Sequence, residues 1–388
     1  MKKIFYGKQK IFKEDIKNFE KTLLSKQITT GKSVTRFENK LKYFLNNHNI
    51  KVCNSGTSAL HLAFLCENFK KGSNIIMPSI NFIASYSIAK QLRLNIYLAD
   101  VDPITGQMRP SDVERVIKKN QLKKIDAIVT MYMGGYPENI IKFYKLKKKF
   151  NCILIEDACH AFGAKYKFKN KIYSVGSCKH SDYCTFSFHP LKTITTGEGG
   201  AIITKSKKKF LKINKLLSHG IIRNKTNYWE YDIKDLSYNF RLSDINCELG
   251  IRQLKKLNFI LKYRKFIYNF YSKKLKKFSE IIKLPSYSKN IYPSFHLFLA
   301  NIDFKKLKVG KNFLIKYFKK KNIFLQQHYI PIYKFSCVKK KKLPDSEKYI
   351  NSSLSLPIHL DCNQKDLKRV IYLFEIFFKK YKKNEKTT

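Results

Sequence analysis

Lys192 stands in the stretch Thr185–Thr204, TFSFHPLKTITTGEGGAIIT, just past a β-rich run, Cys184–Phe188. A turn of Gly197, Glu198, Gly199 and Gly200 follows it, and then a second apolar strand, Ala201–Thr204. A lysine between two buried strands is costly unless it has a partner or a covalent use. One covalent use is a Schiff base with the aldehyde of pyridoxal phosphate, which needs a lysine at a fixed distance from a cofactor pocket. A surface-loop lysine is the plain alternative in so lysine-rich a chain, so the company Lys192 keeps must decide.

Asp157, in Ile155-Glu156-Asp157-Ala158-Cys159-His160-Ala161, stands at the end of the apolar strand Cys152–Ile155. Ligands bind at the carboxyl ends of strands in α/β sheets. A carboxylate there can hold a protonated pyridine nitrogen and make the ring an electron sink; it can equally cap the next helix. His160 can touch a ring oxygen or serve the core. In Asn54-Ser55-Gly56-Thr57-Ser58-Ala59-Leu60, small polar residues open a helix. Its free N–H groups and dipole suit a phosphate, although such caps are common. Ser187, five residues before Lys192, can add a hydroxyl to the same phosphate. Phe82, in Pro78-Ser79-Ile80-Asn81-Phe82, can stack on a ring or fill the core.

These residues need a frame. Apolar runs at Asn74–Met77, Asn95–Ala99, Ala127–Met133, Cys152–Ile155, Cys184–Phe188 and Ala201–Thr204 read as strands. Helical patterns near Ser58–Phe69, Phe82–Gln91, Pro110–Lys119 and Glu138–Phe150 separate the first four. That alternation predicts βαβ units and a largely parallel sheet covered on both faces. No amphipathic stretch lies between the last two strands, which leaves that pair free to be antiparallel. A long helical pattern runs from Ser243 to about Leu275. Beyond it, residues from about 280 to 388 read as strand, helix, strand and a final amphipathic helix near Gln364–Lys380, a smaller α+β unit.

The formal charge of +50 invites a nucleic-acid reading, but only nine of the 78 basic residues are Arg. The lysines are spread along the whole length among Asn, Ile, Phe and Tyr, whereas a reader of bases or phosphates favours clustered Arg for bidentate contacts. No specific nucleic-acid partner is therefore expected. The runs Lys319–Lys321 and Lys339–Lys342 and the tail Lys379–Thr388 read as solvated faces, with a field that favours anionic substrates. Nine scattered cysteines without a CxxC pair argue for a reducing compartment and against a disulfide framework or a zinc site. No signal-peptide core and no apolar run of membrane-spanning length is present, so a cytoplasmic chain without a membrane partner is expected.

Taken together, SGTSAL, PSINF, EDACHAFGA, FSFHPLKTITTGEGG and SYNFRLSD resemble the DegT/StrS family of sugar-nucleotide aminotransferases. The similarity extends from QITTGKSVTRFE to HYIPIY and SLSLPIH. It implies an α/β fold, the pyridoxal-phosphate-dependent transferase fold type I. A large domain (residues 1–255) with a mixed, mostly parallel sheet would be followed by a small C-terminal α+β domain (256–388). Lys192 would be the catalytic Schiff-base lysine, Asp157 would bind the pyridine nitrogen, and His160 would sit near the ring hydroxyl. Thr57, Ser58 and Ser187 would hold the phosphate, Phe82 is the candidate for stacking, and Asn239 of SYNFRLSD would reach the phosphate from the partner subunit of a homodimer. His328 in QQHYIPIY would lie near the sugar-nucleotide pocket. The implied reaction moves an amino group from L-glutamate to C4 of a UDP-linked 4-keto-6-deoxy-N-acetylhexosamine, in pseudaminic acid biosynthesis. A bacillosamine- or perosamine-type keto-sugar nucleotide and a catalytically silent regulatory homologue are the alternatives. The intact GEGG turn and Lys192 argue against the family's dehydratase branch, in which a histidine replaces the lysine. Cys159 and Phe162 depart from the family pattern without touching a proposed role.

Overall fold

The computed structural model describes residues 2–383 other than 17, 18, 225 and 228, so the last five residues of the lysine-rich tail lie outside it. Seven short apolar runs form its central sheet: β1 (Ile50–Cys53), β2 (Asn74–Pro78), β3 (Asn95–Ala99), β4 (Ala127–Met131), β5 (Ile153–Asp157), β6 (Tyr183–Ser187) and β7 (Gly200–Thr204). Their order is β1-β7-β6-β5-β4-β2-β3. β2 to β6 run parallel where they pair, and β7 runs against both of its neighbours, β6 and β1. Every residue of β4, β6 and β7 is buried, as a sheet covered on both faces demands. Along β4, Ala127 and Val129 enter the core on one face and Ile128 the core on the other; Ile155 and Leu154 of β5 divide the same way. This alternation sends the adjacent carboxylates Glu156 and Asp157 to opposite faces.

The crossovers β1–β2, β2–β3, β3–β4 and β4–β5 are helices α1 (Gly56–Glu67), α2 (Ala84–Gln91), α3 (Pro110–Lys119) and α4 (Ile140–Phe150). Helix α1, helix α4 and the helix Lys32–Leu45 each end on an asparagine with left-handed backbone: Asn68, Asn151 and Asn46, at φ 51°, 46° and 51°. Asparagine is the residue after glycine that best tolerates that conformation. Between β5 and β6 the chain makes a hairpin, Lys165–Phe168 with Lys171–Ser174, in place of a helix. The expected antiparallel pairing of the last two strands is present, with Tyr183 opposite Thr204. Two elements differ from expectation. β1 escaped notice because it is only four residues long and carries Lys51, which pairs with Glu38 at 3.1 Å. The pattern from Ser243 to Leu275 is two helices, Asp244–Lys255 and Leu257–Leu275, separated at Lys256 (φ −99°, ψ 1°).

A second core gathers around the antiparallel strands Ile282–Lys283, Phe298–Ile302 and Ser353–Leu356 and the helices Leu257–Leu275, Lys311–Lys320 and Gln364–Tyr381. Ile4 belongs to this core, far from its neighbours in sequence. Phe324 N–H donates to the Ile4 carbonyl at 2.8 Å, Ile4 N–H donates to the Asn322 carbonyl at 2.9 Å, and Ile358 N–H donates to the Tyr6 carbonyl at 3.0 Å. The segment leading into Phe298–Ile302 is pinned to the loop after β4. Ser294 N–H donates to the Gly135 carbonyl at 3.0 Å, and His296 N–H to that of Gly134 at 2.8 Å. Ser294 Oγ also donates to the His160 carbonyl at 2.7 Å. Gly135 has φ 89°, and a Cβ there would lie 2.1 Å from Ser294 Oγ, so only glycine permits this junction. Among the described residues no helix is long and apolar enough to cross a membrane.

Candidate active site

The carboxyl ends of the parallel strands open into a cavity of about 320 Å³. Adjacent strands β5 and β6 end there on Asp157 and Ser187, and the loop to β7 brings in Lys192. Asp157 is 4% exposed, accepting from Cys159 N–H at 3.2 Å and, at the long distance of 3.5 Å, from Asn81 Nδ2. No lysine or arginine forms an ion pair with it among the described residues. Burial pushes its carboxyl pKa up, against the opposing pull of Cys159, Lys192 and Asn81. Burial likewise draws the half-buried Lys192 below the ordinary lysine range, while Cys159 and Asp157 oppose that shift. A lysine nitrogen with a lowered pKa is a better nucleophile near neutral pH.

Helix α1 points its N-terminus at the same space. Ser55 caps it, taking Ser58 N–H at 3.0 Å, and the Ser58 hydroxyl is engaged with Asn54 Oδ1 at 2.5 Å. Ser58 therefore serves the cap and does not line the cavity, whereas Ser55, Gly56, Thr57 and Ser187 do. A Cβ on Gly56 would come within 2.8 Å of Ser187 Cβ and 3.0 Å of Cys159 Sγ. The missing side chain lets the helix end approach the strand end closely enough to form one polar cradle, suited to an anion.

The opposite wall carries His160, His296, His328 and Tyr329, with Tyr6 from the N-terminal segment. His160 is 2% exposed; its Nε2 meets the Tyr329 hydroxyl at 2.8 Å, and its Nδ1 is buried without a partner. The rings of His160 and His296 lie 4.2 Å apart. His328 Nδ1 meets Ser355 Oγ at 2.8 Å. Burial, aided by the nearby Lys192, holds all three imidazoles neutral, His328 down to about 3. Phe82 is 56% exposed and lines the cavity, so it is not a core residue.

Lys192, Asp157, His160, Thr57, Ser187, Phe82 and His328 thus meet in one cavity. Asn239 does not: it is exposed, and its carbonyl accepts from Asn54 Nδ2 at 3.1 Å just outside the cradle. Sequence reasoning passed over Asn81, Tyr329, His296 and Tyr6. Asn81 and Tyr329 each adjoin a residue that was singled out, in PSINF and HYIPIY, and position next to a site residue was the available signal. His296 and Tyr6 offered none. The arrangement can hold a cationic ring nitrogen at Asp157, an anionic group in the cradle and an aldehyde on Lys192.

The sequence model of the DegT/DnrJ/EryC1/StrS aminotransferase family matches residues 9–375. A UDP-4-amino-4,6-dideoxy-N-acetyl-β-L-altrosamine transaminase of Campylobacter jejuni is 36% identical over 373 residues, covering 95% of both chains. A GDP-perosamine synthase of Escherichia coli O157:H7 is 28% identical over 305 residues, or 78% of this chain and 79% of its own. Among solved structures, Helicobacter pylori PseC, an aminotransferase involved in the biosynthesis of pseudoaminic acid, superposes with a TM-score of 0.89. It is 28% identical and is matched over 97% of this chain and 100% of its own.

Proposed function

The chain belongs to the DegT/DnrJ/EryC1/StrS aminotransferase family, and from that premise we propose that it transfers an amino group from L-glutamate to C4 of a UDP-linked 4-keto-6-deoxy-N-acetylhexosamine, UDP-2-acetamido-2,6-dideoxy-β-L-arabino-hex-4-ulose, in pseudaminic acid biosynthesis. It is an aminotransferase with the α/β architecture of fold type I. The observation that carries the catalytic reading is Lys192 lining the same cavity as a buried carboxylate, Asp157, that has no ion-pair partner of its own among the described residues. Such a carboxylate calls for a cationic ligand. Likeness to the Campylobacter transaminase over nearly the whole of both chains supports the sugar.

The cofactor of this reading is pyridoxal phosphate, which when bound supplies an electron sink. Three features fit it: the unpaired Asp157 for the ring nitrogen, the unpartnered His160 Nδ1 for the ring oxygen, and the cradle at Gly56 for the phosphate. Thr57 and Ser187 would offer hydroxyls to that phosphate, and Ser58 would act on it through the helix cap. Phe82 would cover the ring. Lys192 Nζ would hold the aldehyde carbon, take the proton from Cα of the amino donor, and return one in the second half-reaction. Histidines kept neutral by burial add no competing positive charge beside it. His328 would border the sugar nucleotide.

The active unit of this reading is a cytoplasmic homodimer, in which Asn239 reaches the partner's phosphate. Exposed apolar side chains beside Asn239, Leu236 at 86% and Tyr238 at 61%, support a partner surface there. The proposed division into domains at residues 255 and 256 falls at the break between two helices. Purified protein given glutamate should aminate the UDP-4-keto sugar, forming 2-oxoglutarate in equal amount. No turnover with it, but turnover with a GDP-linked keto sugar, would move the assignment to the perosamine type. Mixed Lys192→Ala and Asn239→Ala subunits should regain activity that neither has alone, because half of the hybrid's sites carry neither defect; no recovery would overturn the shared site.

A further inference from the structure

Tyr329 and His160 share one hydrogen bond, Oη to Nε2 at 2.8 Å, the only hydrogen bond of the Tyr329 hydroxyl among the described residues. The other imidazole nitrogen of His160, Nδ1, is buried and unpartnered in a residue that lines the cavity. A neutral imidazole carries a single proton, so the bond at Nε2 decides what Nδ1 can do. If Nε2 accepts from the phenol, Nδ1 bears the hydrogen and is a donor. If Nε2 donates, Nδ1 is a bare acceptor.

The chemistry of the pair selects the first state. An imidazole nitrogen is a far stronger base than a phenol oxygen, and a phenol O–H a stronger acid than a neutral imidazole N–H. Burial keeps the Tyr329 hydroxyl protonated, and burial together with Lys192, His296 and His328 keeps His160 neutral. The tyrosine ring is held in place by Phe82, at 6.0 Å between centroids, and by His328, at 5.0 Å.

We propose that Tyr329 is a positioning residue whose hydroxyl fixes His160 as the Nδ1–H tautomer, so that a single N–H donor is presented to the phenolic oxygen of the bound pyridoxal phosphate. The second half rests on the cofactor reading above; the first half is a property of the protein alone. A donor to that oxygen draws charge from it and weakens its hold on a proton carried by Lys192 Nζ. Tyr329 thereby helps to keep the lysine nitrogen easily deprotonated, although it touches neither the lysine nor the reacting carbon.

Imidazole ¹⁵N NMR of the full chain, labelled at histidine and assigned through His160→Gln, reads the tautomer directly. Wild type should show Nδ1–H at His160 with and without cofactor. Tyr329→Phe, which keeps the ring and loses only the hydroxyl, should shift His160 toward Nε2–H. In the loaded protein, Tyr329→Phe should raise the midpoint of the visible-absorbance pH titration by about one unit, the size of one hydrogen bond to a charged group. His160→Gln supplies an amide donor that needs no help, so adding Tyr329→Phe to it should leave the midpoint unmoved. An Nε2–H signal in wild type, the same tautomer in both proteins, or an undiminished shift in the His160→Gln background would overturn the proposal. Failure of wild type to bind pyridoxal phosphate would defeat the cofactor reading and the second half with it, while the NMR comparison still decides the first.

Discussion

The floor of the cavity and its roof both bury polar groups but are assembled differently. On the floor, Asp157 and Ser187 end two hydrogen-bonded parallel strands, with Asp157 in register with Thr185, and Lys192 follows within one loop. Backbone pairing sets their spacing. On the roof, His296 and His328 come from separated segments and are placed by side-chain contacts such as His328–Ser355 and by the Gly134–Gly135 junction. A floor held by a sheet suits bond making, where small displacements are costly. A roof held by loops can change shape between relatives without disturbing that chemistry.

The sharpest way to break this division is at the floor. Lys192→Ala should abolish cofactor-linked visible absorbance and reduce turnover by several orders of magnitude, and Lys192→Arg should fail as well because guanidinium stays protonated. Near-wild-type transamination by either variant would remove the lysine from the mechanism. Asp157→Asn should still bind the cofactor but lose on the order of a hundredfold or more in kcat, as expected from about 3–5 kcal/mol for one broken side of a buried ion pair. Unchanged turnover would reduce Asp157 to a structural strand end.

The roof should respond differently. His328→Ala should raise KM for the sugar nucleotide about fivefold, the worth of about 1 kcal/mol of hydrogen bonding, with kcat much less affected. A fall in kcat as deep as that of Asp157→Asn would erase the distinction between roof and floor.

The smallest effect is expected on the floor's other face. Glu156 accepts from the Tyr132 hydroxyl at 2.7 Å, and burial raises its carboxyl from the ordinary 4.5 to about 7. The folded protein therefore binds this proton more tightly than the unfolded chain does. Its stabilising contribution is complete below about 4.5 and is lost as pH rises to about 7. Thermal unfolding across that window should show this slope in wild type and a flatter one in Glu156→Gln; parallel profiles would place the Glu156 pKa elsewhere.

The same contrast explains what could be read from the chain. The floor was legible because its residues fall in contiguous motifs at strand ends, where apolar runs announce the strands and polar residues break them. Helix α3 was legible to the residue because Pro110 starts it; Asp112 holds that start by accepting from Arg109 N–H at 2.9 Å. β1 was not, since Lys51 interrupts a four-residue strand whose partner, β7, lies about 150 residues on. Ser58 shows a finer limit: its type suggested a phosphate ligand, but its hydroxyl is spent within the helix cap, and only three-dimensional packing reveals that. The roof was legible only where HYIPIY and the His160 of EDACHAFGA marked it, because a lone histidine such as His296 has no local signature when its neighbours are set by tertiary contact.

Residues 4–6 leave the ribosome long before Asn322, Phe324 and Ile358, with which they pair. At ordinary synthesis rates that is a wait of roughly 15–60 s, during which the β5–β7 segment and its lysine have already emerged. A nascent chain can therefore carry Lys192 without Tyr6, His328 and Tyr329 closed over it. Pairing residues 4–6 with Asn322, Phe324 and Ile358 makes late synthesis a condition for roofing the cavity, which residues up to β7 alone cannot enclose.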